Sequence, residues 1–242
     1  MNQKQTLVSI VPLLLASIAL ARDVSHYPYD SFAYAGKFLK MFSNAKTGAE
    51  LALFVDHEFS DQQNELLKKA TTTLSERYIS KPVLDCAYAS SVRELPESRE
   101  LFVSQMKEVM GPKTVDPKVP EAKASTLLFV AGYSDDKTSV GMGFLNLYYD
   151  TDTPFPGYSD RHYLYIALND DYLGKASYQY GTDSDYWAGV MAHQILHNLN
   201  YDHRSGYSGS FITEYSKCLW KNGVQFDIPE GVFNDRIIER GM

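Results

Sequence analysis

Three histidines in one short segment have the spacing of a metal site. His193 and His197 are four residues apart, so on a helix their side chains project from one face about one turn apart. Two imidazoles in that arrangement bind one tetrahedral metal ion, and nitrogen ligands favour Zn²⁺. His203 reaches the same ion only if the chain turns sharply after the helix, and Asn200 suits the left-handed conformation that ends helices. The spacing therefore predicts one zinc ion per chain, with His193, His197 and His203 as its ligands.

The segment from His193 to His203 reads H-Q-I-L-H-N-L-N-Y-D-H, and its eleven residues resemble the zinc signature H-E-x-x-H-x-x-G-x-x-H of the metzincin metallopeptidases. The resemblance implies that the three histidines bind zinc and that a zinc-activated water hydrolyses peptide bonds. It implies a peptide or protein as the substrate. It also implies a zincin-type domain, in which a mixed twisted sheet lies over an active-site helix and a C-terminal helix follows.

Gln194 stands where this family has the glutamate that acts as general base. The glutamate accepts a proton from the zinc-bound water and passes it to the leaving amine, whereas a glutamine amide has no useful basicity. General-base catalysis contributes roughly 10²–10⁴-fold, so we expect the hydrolytic activity of this chain to be much reduced or absent. One interpretation is a metallopeptidase weakened at Gln194, either naturally or by substitution. The alternatives are a non-catalytic secreted zinc-containing binding protein (a pseudopeptidase) and a secreted domain without metal.

The residues after His203 depart from the family pattern in a second way. The only methionine there is Met242, so the methionine turn that the pattern places beneath the metal is absent or rebuilt. This leaves room for a different ligand, and Glu214 is the candidate, in the manner of the gluzincins. The other interpretation of Glu214 is a solvated helix residue. Tyr207 and Tyr215 are candidates for polarising a substrate carbonyl, although most of the 18 tyrosines must serve packing or the surface.

Two loops are rich in the side-chain oxygens that suit Ca²⁺. No EF-hand spacing is present, so solvated loop acids are the alternative interpretation of these residues, which are Asp150, Asp152, Asp160, Asn169, Asp170 and Asp171. Asp183 or Asp185 has a different role, because a carboxylate at either position caps the metal-bearing helix by accepting its free N–H groups.

The first 21 residues predict an export signal. A short polar start precedes an apolar run from Leu7 to Leu20, and the ending Ala19-Leu20-Ala21 forms a small-residue cleavage site. About 14 apolar residues interrupted by a proline fall short of the roughly 20 that span a bilayer, so cleavage is favoured over a membrane anchor. We therefore predict a secreted or periplasmic protein with no membrane span in the mature chain.

Composition sets the remaining limits on function. The 242 residues suit one domain, and 23 basic against 30 acidic residues give a formal charge of −7, which argues against a nucleic-acid partner. Residues 22–47 are a candidate pro-segment or an irregular N-terminal part, and the resemblance implies that 48–242 are a zinc metallopeptidase-like domain. Cys86 and Cys218 are a candidate disulfide in an oxidising compartment, and the alternative is two separate buried thiols.

The apolar patterns predict the elements that must position these residues. Helices and strands alternate, which indicates an α/β or α+β domain built on one sheet. Strands are expected at 83–88, 125–131, 143–149 and 162–168, and helices at 58–79, 96–110, 185–199 and 210–221. The helix at 185–199 then carries both His193 and His197.

Overall fold

The computed structural model describes residues 36–114, 123–134, 138–145, 163–225, 229 and 231–238. Within these residues a six-stranded mixed sheet packs against five helices, which agrees with the mixed α/β class expected from the sequence. The predicted signal segment 1–21 and residues 22–35 of the candidate pro-segment lie outside the described residues.

The sheet is mixed in direction and joins distant parts of the chain. In chain order the strands are β1 (Gly36–Asn44), β2 (Ala49–Asp56), β3 (Lys113–Thr114), β4 (Lys123–Ala124), β5 (Thr126–Tyr133), β6 (Gly141–Phe144), β7 (Tyr163–Asn169) and β8 (Asp235–Ile238). The six-stranded sheet has the order β1-β2-β5-β7-β6-β8, while β3 and β4 pair separately. β2, β5 and β7 are parallel, β1 is antiparallel to β2, and β6 is antiparallel to β7. β8 pairs with β6 in parallel.

The central strands are buried on both faces. Every residue of β5 and β7 is buried, which explains why both read as continuous apolar runs in the sequence. Alternate residues divide between two apolar clusters of the described chain: Leu128 and Val130 join the helix-covered core, whereas Leu127 and Phe129 lie in the cluster on the other face. The strong apolar signal of these strands made them predictable.

The helices are α1 (Asp61–Arg77), α2 (Lys81–Ser90), α3 (Arg99–Met110), α4 (Ser184–Asn198) and α5 (Phe211–Trp220). Four of them correspond to the predicted helices. The prediction of a strand at 83–88 was wrong, because these residues lie in α2. Ser80 precedes the helix, Pro82 lies in its first turn, and Val83, Leu84, Cys86 and Ala87 are buried at helical spacing. A short apolar run does not by itself distinguish a buried helix from a strand.

Three strands of the main sheet were not predicted. β1 occupies part of the segment 22–47, so its residues 36–44 are neither irregular nor separate from the sheet. β2 and β8 also escaped the sequence patterns. The expected strand at 143–149 starts earlier, at Gly141, and ends at Phe144, so its extension to Leu145 was wrong. Residues 146–149 lie outside the described residues.

Helix α4 is the central element of the helical layer. All of its residues from Tyr186 to Asn198 are buried, and it packs against α1, α5, β6 and β7. Its N-terminus is capped by Asp183, whose Oδ1 accepts the backbone N–H groups of Asp185 and Tyr186. Asp185 instead forms an ion pair of 2.9 Å with Arg77 of α1. The cap and the surrounding core fix the direction in which α4 enters the site.

A disulfide between Cys86 and Cys218 joins α2 to α5 across 132 residues of sequence. Disulfides of this kind are typical of proteins that fold in oxidising compartments. None of the helices in the described ranges is long and apolar enough to cross a membrane.

Candidate metal centre

The end of α4 brings the three histidines together. After His197 the chain reverses at Asn200, whose φ of 66° is the left-handed conformation expected from the sequence. The N–H of Asn200 donates to the carbonyl of His197 at 2.9 Å, and that of Tyr201 donates to Leu196 at 3.0 Å. His203 thereby returns to the helix, and the three imidazole ring centres lie 5.1 to 5.5 Å apart.

A fourth side chain, that of Asp235 at the start of β8, completes the cluster. Its Oδ2 lies 2.6 Å from Nε2 of His197 and 3.3 Å from Nε2 of His193, and its Oδ1 lies 3.0 Å from Nε2 of His203. The Asp235 carboxylate is fully buried, as are the first two imidazoles. These four residues are the one group of metal-ligand type in the described part of the chain. They are positioned to bind a metal ion, and the donor set is compatible with one zinc ion.

The hydrogen bonds around His197 indicate a positive charge beside its Nε2. Its Nδ1 lies 2.8 Å from the carbonyl of Tyr201, which only accepts, so Nδ1 carries the proton. In the neutral ring, Nε2 then presents a lone pair to the Asp235 carboxylate at 2.6 Å. Two acceptors at this distance repel unless a positive charge lies beside them, and a metal ion or a proton supplies it.

The environment of His193 also directs a ring nitrogen into the cluster, as a metal ligand would be. The Ser216 hydroxyl donates to the carbonyl of Ile212 at 2.7 Å, which leaves its oxygen as an acceptor 3.3 Å from Nδ1 of His193. Nε2 of His193 therefore faces inward, and it has no hydrogen-bond partner among the described residues. Outer partners of this kind hold ligating imidazoles in one tautomer and orientation.

The charges in the cluster are strongly coupled. Burial alone would raise the pKa of Asp235, but the three histidines outweigh burial and hold that pKa well below its usual range. Burial lowers the pKa of His193 to about 4, although Asp235 acts against it. For His203 burial is outweighed by the hydrogen bond and charge of Asp235, so its pKa is raised. The cluster thus contains an anionic carboxylate and a neutral His193 in a site closed to water.

Tyr207 supports the carboxylate from the loop after His203. Its hydroxyl donates to Oδ1 of Asp235 at 2.8 Å, and its ring centre lies 3.9 Å from that of His203. Burial and the negative charge of Asp235 raise the pKa of Tyr207, so the phenol keeps its proton and remains a donor. The sequence predicted Tyr207 as a residue near the metal, but in this structure its hydroxyl is used by Asp235.

Gln194 lies beside the same carboxylate. Its Nε2 donates to Oδ2 of Asp235 over a long 3.4 Å, while its buried Oε1 has no hydrogen-bond partner in the described residues. Strand β6 packs directly against this side chain. A Cβ added at Gly141 of β6 would lie only 2.7 Å from Nε2 of Gln194. A Cβ on Gly143 would lie 2.4 Å from Cδ2 of His197. The two glycines allow the sheet to approach the site this closely.

Asn198 fixes the distance between α4 and the sheet. Its Oδ1 accepts the N–H of Tyr165 in β7 at 2.8 Å, and its Nδ2 donates to the carbonyl of Phe144 in β6 at 3.1 Å. Within the described residues, β6 pairs with β7 at Gly141 and Met142. Asn198 therefore satisfies backbone groups where the two strands separate, next to His197.

The other predicted candidates lie away from the cluster. Glu214 accepts from Lys217 at 2.9 Å and from the N–H of Gly209 at 3.3 Å. The Tyr215 hydroxyl donates to the carbonyl of Tyr78 inside the core. In the loop proposed for Ca²⁺, the Asn169 side chain bonds the backbone of Ser139 and Asp171. Asp170 lies in the same loop, and its N–H donates to the carbonyl of Tyr133 at 2.8 Å. Asp150, Asp152 and Asp160 lie outside the described residues.

Asp235 was not among the ligands predicted from the sequence. It lies 32 residues beyond His203 on a strand of four residues, and the letters around it match no ligand motif. The departure from the family pattern after His203 indicated a missing contact but not its source.

Comparison with known proteins identifies no family for this chain, so its function is inferred from the geometry of the site. A scan against protein-family models, a search of curated proteins and a search of solved structures each find no match to this chain.

Proposed function

We propose that the chain is an exported zinc protein built on a metzincin-like metallopeptidase site, and that peptide-bond hydrolysis is absent or weak while β8 is in place. The observation that carries this proposal is the convergence of three Nε2 atoms on the Asp235 carboxylate. The disulfide between Cys86 and Cys218 and the signal-like start of the sequence support export.

The four ligands would be His193, His197, His203 and Asp235. Zinc in such a site acts as a Lewis acid and lowers the pKa of a bound water when a coordination position is open. Catalytic zinc sites keep that position open, whereas four protein ligands are typical of structural sites. Asp235 therefore makes this site resemble a closed one.

Gln194 is a second obstacle to hydrolysis. Its amide donates a hydrogen bond toward Asp235 and has no basicity with which to accept a proton. In a peptidase the same position holds a carboxylate that transfers protons. The two obstacles are independent, because one concerns a vacant ligand position and the other concerns a proton acceptor. Together they favour the non-catalytic alternative over an active enzyme.

The position of Tyr207 is the observation that favours a second candidate, a latent peptidase. Its proton-bearing hydroxyl lies within 2.8 Å of the ligand carboxylate, where it would donate to a substrate carbonyl if Asp235 were absent. The elements of a hydrolytic site other than the base are thus present around the histidines.

The test compares four chains: the natural one, Gln194→Glu, Asp235→Ala and the double variant. Each is measured for zinc content and for cleavage of a denatured protein, with and without a chelator. We expect about one zinc per natural chain, little cleavage by the natural chain or either single variant, and zinc-dependent cleavage by the double variant. Gln194→Ala with Asp235→Ala is the matched control and should stay inactive.

Each other outcome has a defined meaning. Zinc-dependent cleavage by the natural chain would overturn the claim that hydrolysis is blocked. Cleavage by Gln194→Glu alone would show that Asp235 does not close the site. Inactivity of all chains that hold zinc would favour the binding protein, and chains without zinc would exclude the metal.

A further inference from the structure

The segment from Asn234 to Ile238 pairs with the rest of the fold as a peptide ligand pairs with a sheet edge, and a turn from Gly231 precedes it. β8 adds to β6 with Asp235 opposite Gly141 and Ile238 opposite Phe144. Backbone bonds extend this pairing at both ends, from Val140 N–H to Asn234 O at 2.8 Å and from Leu145 N–H to Ile238 O at 3.2 Å. Main-chain pairing of this kind supplies affinity with little dependence on sequence.

Two side chains of the segment supply the specificity. Phe233 is 2 % exposed, and its ring packs 5.5 Å from that of Tyr186 and 6.2 Å from that of Trp220. Gly189 of α4 leaves space for it, since a Cβ there would lie 3.2 Å from the Phe233 ring. The second anchor is Asp235, two residues later, in the histidine cluster. Phe233 lies in the turn from Gly231 to Asn234, where the N–H of Asn234 donates to the carbonyl of Gly231 at 3.0 Å, and Asp235 begins the strand. Both side chains nevertheless contact α4.

The contacts of the segment show which features a ligand needs. The hydroxyl of Tyr186 donates to the carbonyl of Val232 at 2.7 Å, so a main-chain contact precedes the aromatic anchor. Arg236, by contrast, is exposed. The recognition elements are therefore a turn that carries an aromatic ring and, two residues further on, a carboxylate at the start of an extended stretch.

We propose that the outer edge of β6 and the adjoining side of α4 form a peptide-binding site, occupied in this structure by the chain's own residues 231–238. The ligand class is a peptide with the pattern Phe-x-Asp, with a turn at the aromatic residue and an extended stretch from the carboxylate onward, which pairs with β6 and places its carboxylate at the metal cluster. This inference rests on the proposed zinc site, because the carboxylate is recognised there. Within one chain the tethered segment has a high effective concentration and excludes other peptides.

The experiment removes the tether without removing the segment. A single protease site is introduced between Gln225 and Gly231, and the full chain is folded with zinc and then cut at that site. The probe is a fluorescent synthetic peptide with the sequence of residues 229–242. We expect the probe to replace the cut segment, as measured by fluorescence anisotropy, while the helical circular dichroism of the protein stays unchanged.

Variant probes test the pattern. A probe with Asp235→Asn should bind at least about tenfold more weakly in the presence of zinc, since a neutral amide replaces a charge-assisted contact. A probe with Phe233→Ala should also bind more weakly, whereas one with Arg236→Lys, which keeps the charge of this exposed side chain, should bind as the natural sequence does. Equal binding of all four probes would overturn the proposed pattern.

Two further outcomes would overturn the proposal as a whole. One is a cut segment that does not exchange with the probe over a day, and the other is a loss of helical signal when the segment leaves. Either would make β8 an integral strand of the fold. Zinc content is measured on the same samples, so a protein that holds zinc without exchange refutes this inference alone. A protein without zinc refutes the proposed zinc function.

Discussion

Strands β1 and β8 both end the six-stranded sheet, but different interactions hold them. β1 has nine residues and pairs with its sequence neighbour β2 through a short turn, in which Gly48 has a φ of 77°. Much of its surface is exposed, including Phe38 at 51 % and Met41 at 47 %. β8 has only four residues, and it pairs with a strand about 90 positions earlier in the chain.

The difference shows how a short strand is kept in a sheet. β1 is stabilised by a local hairpin, whose closure costs little chain entropy. β8 has few ladder bonds, and it depends on Phe233 and on the buried carboxylate of Asp235 among the histidines. Its stability should therefore vary with the metal, while that of β1 should not.

The largest effect is expected from removing the metal. Zinc at about 1,000 times its Kd stabilises the folded state by about 4 kcal/mol, which a chelator abolishes. We expect a lower Tm and faster amide hydrogen exchange in β6 and β8, with little change in β1 and β2. Equal acceleration at both edges would contradict the proposed dependence of β8 on the metal.

Asp235→Ala should produce the next largest effect. Loss of an outer partner alone typically weakens metal binding 10- to 100-fold, so loss of this ligand should weaken zinc binding by more than about 100-fold. Competition with a chromophoric chelator measures the change. Arg236→Ala is the control in the same strand and Lys37→Ala the control in β1, and both should bind zinc normally. Unchanged affinity of Asp235→Ala would remove the carboxylate from the ligand set.

Gly143→Ala and Gly48→Ala compare the two edges through backbone positions. The new Cβ at Gly143 meets the ring of His197, and such overpacking costs roughly 1–3 kcal/mol. At Gly48 no atom lies within 4 Å of the new Cβ. The only cost to stability is that of holding an alanine in the left-handed conformation, about 1 kcal/mol. Urea unfolding measures both costs. Zinc affinity should fall only for Gly143→Ala, and a fall for Gly48→Ala would contradict the separation of the edges.

The smallest effect is expected from Tyr207→Phe. The variant loses the hydroxyl bond to Asp235 and should bind zinc about tenfold more weakly, as other outer partners do. Tyr215→Phe is matched in chemistry, because it loses a buried bond to the carbonyl of Tyr78 outside the cluster. It should cost about 1 kcal/mol of stability and leave zinc affinity unchanged. If zinc affinity fell for Tyr215→Phe and not for Tyr207→Phe, the Tyr207 hydroxyl would not be what supports the Asp235 carboxylate.

Local chemistry explains what could be predicted from the sequence. The spacing of His193 and His197 follows from helical periodicity, and the left-handed Asn200 follows from the preferences of asparagine. The continuous apolar runs of β5 and β7 identified buried strands. Each of these inferences needed only residues within one or two turns of chain.

The features that escaped prediction depend on distant contacts. Asp235 belongs to the cluster only because β8 pairs with β6, and no local pattern encodes that pairing. Most side chains of β1 are exposed, so its sequence lacks the alternation of apolar and polar residues that predicts a strand. Helix α2 was predicted as a strand because its short apolar run is ambiguous until α5 and the disulfide are considered.

The order of the ligands along the chain also sets an order in time. Synthesis proceeds from the N-terminus, so the three histidines are made before Asp235, which follows His203 by 32 residues. The turn at Asn200 needs only neighbouring residues, whereas Asp235 reaches the histidines only when β8 pairs with β6. The longer loop to Asp235 costs more chain entropy to close than the loop from His197 to His203. Completion of the four-residue cluster is then a late event in folding, and its timing depends on the last strand of the sheet.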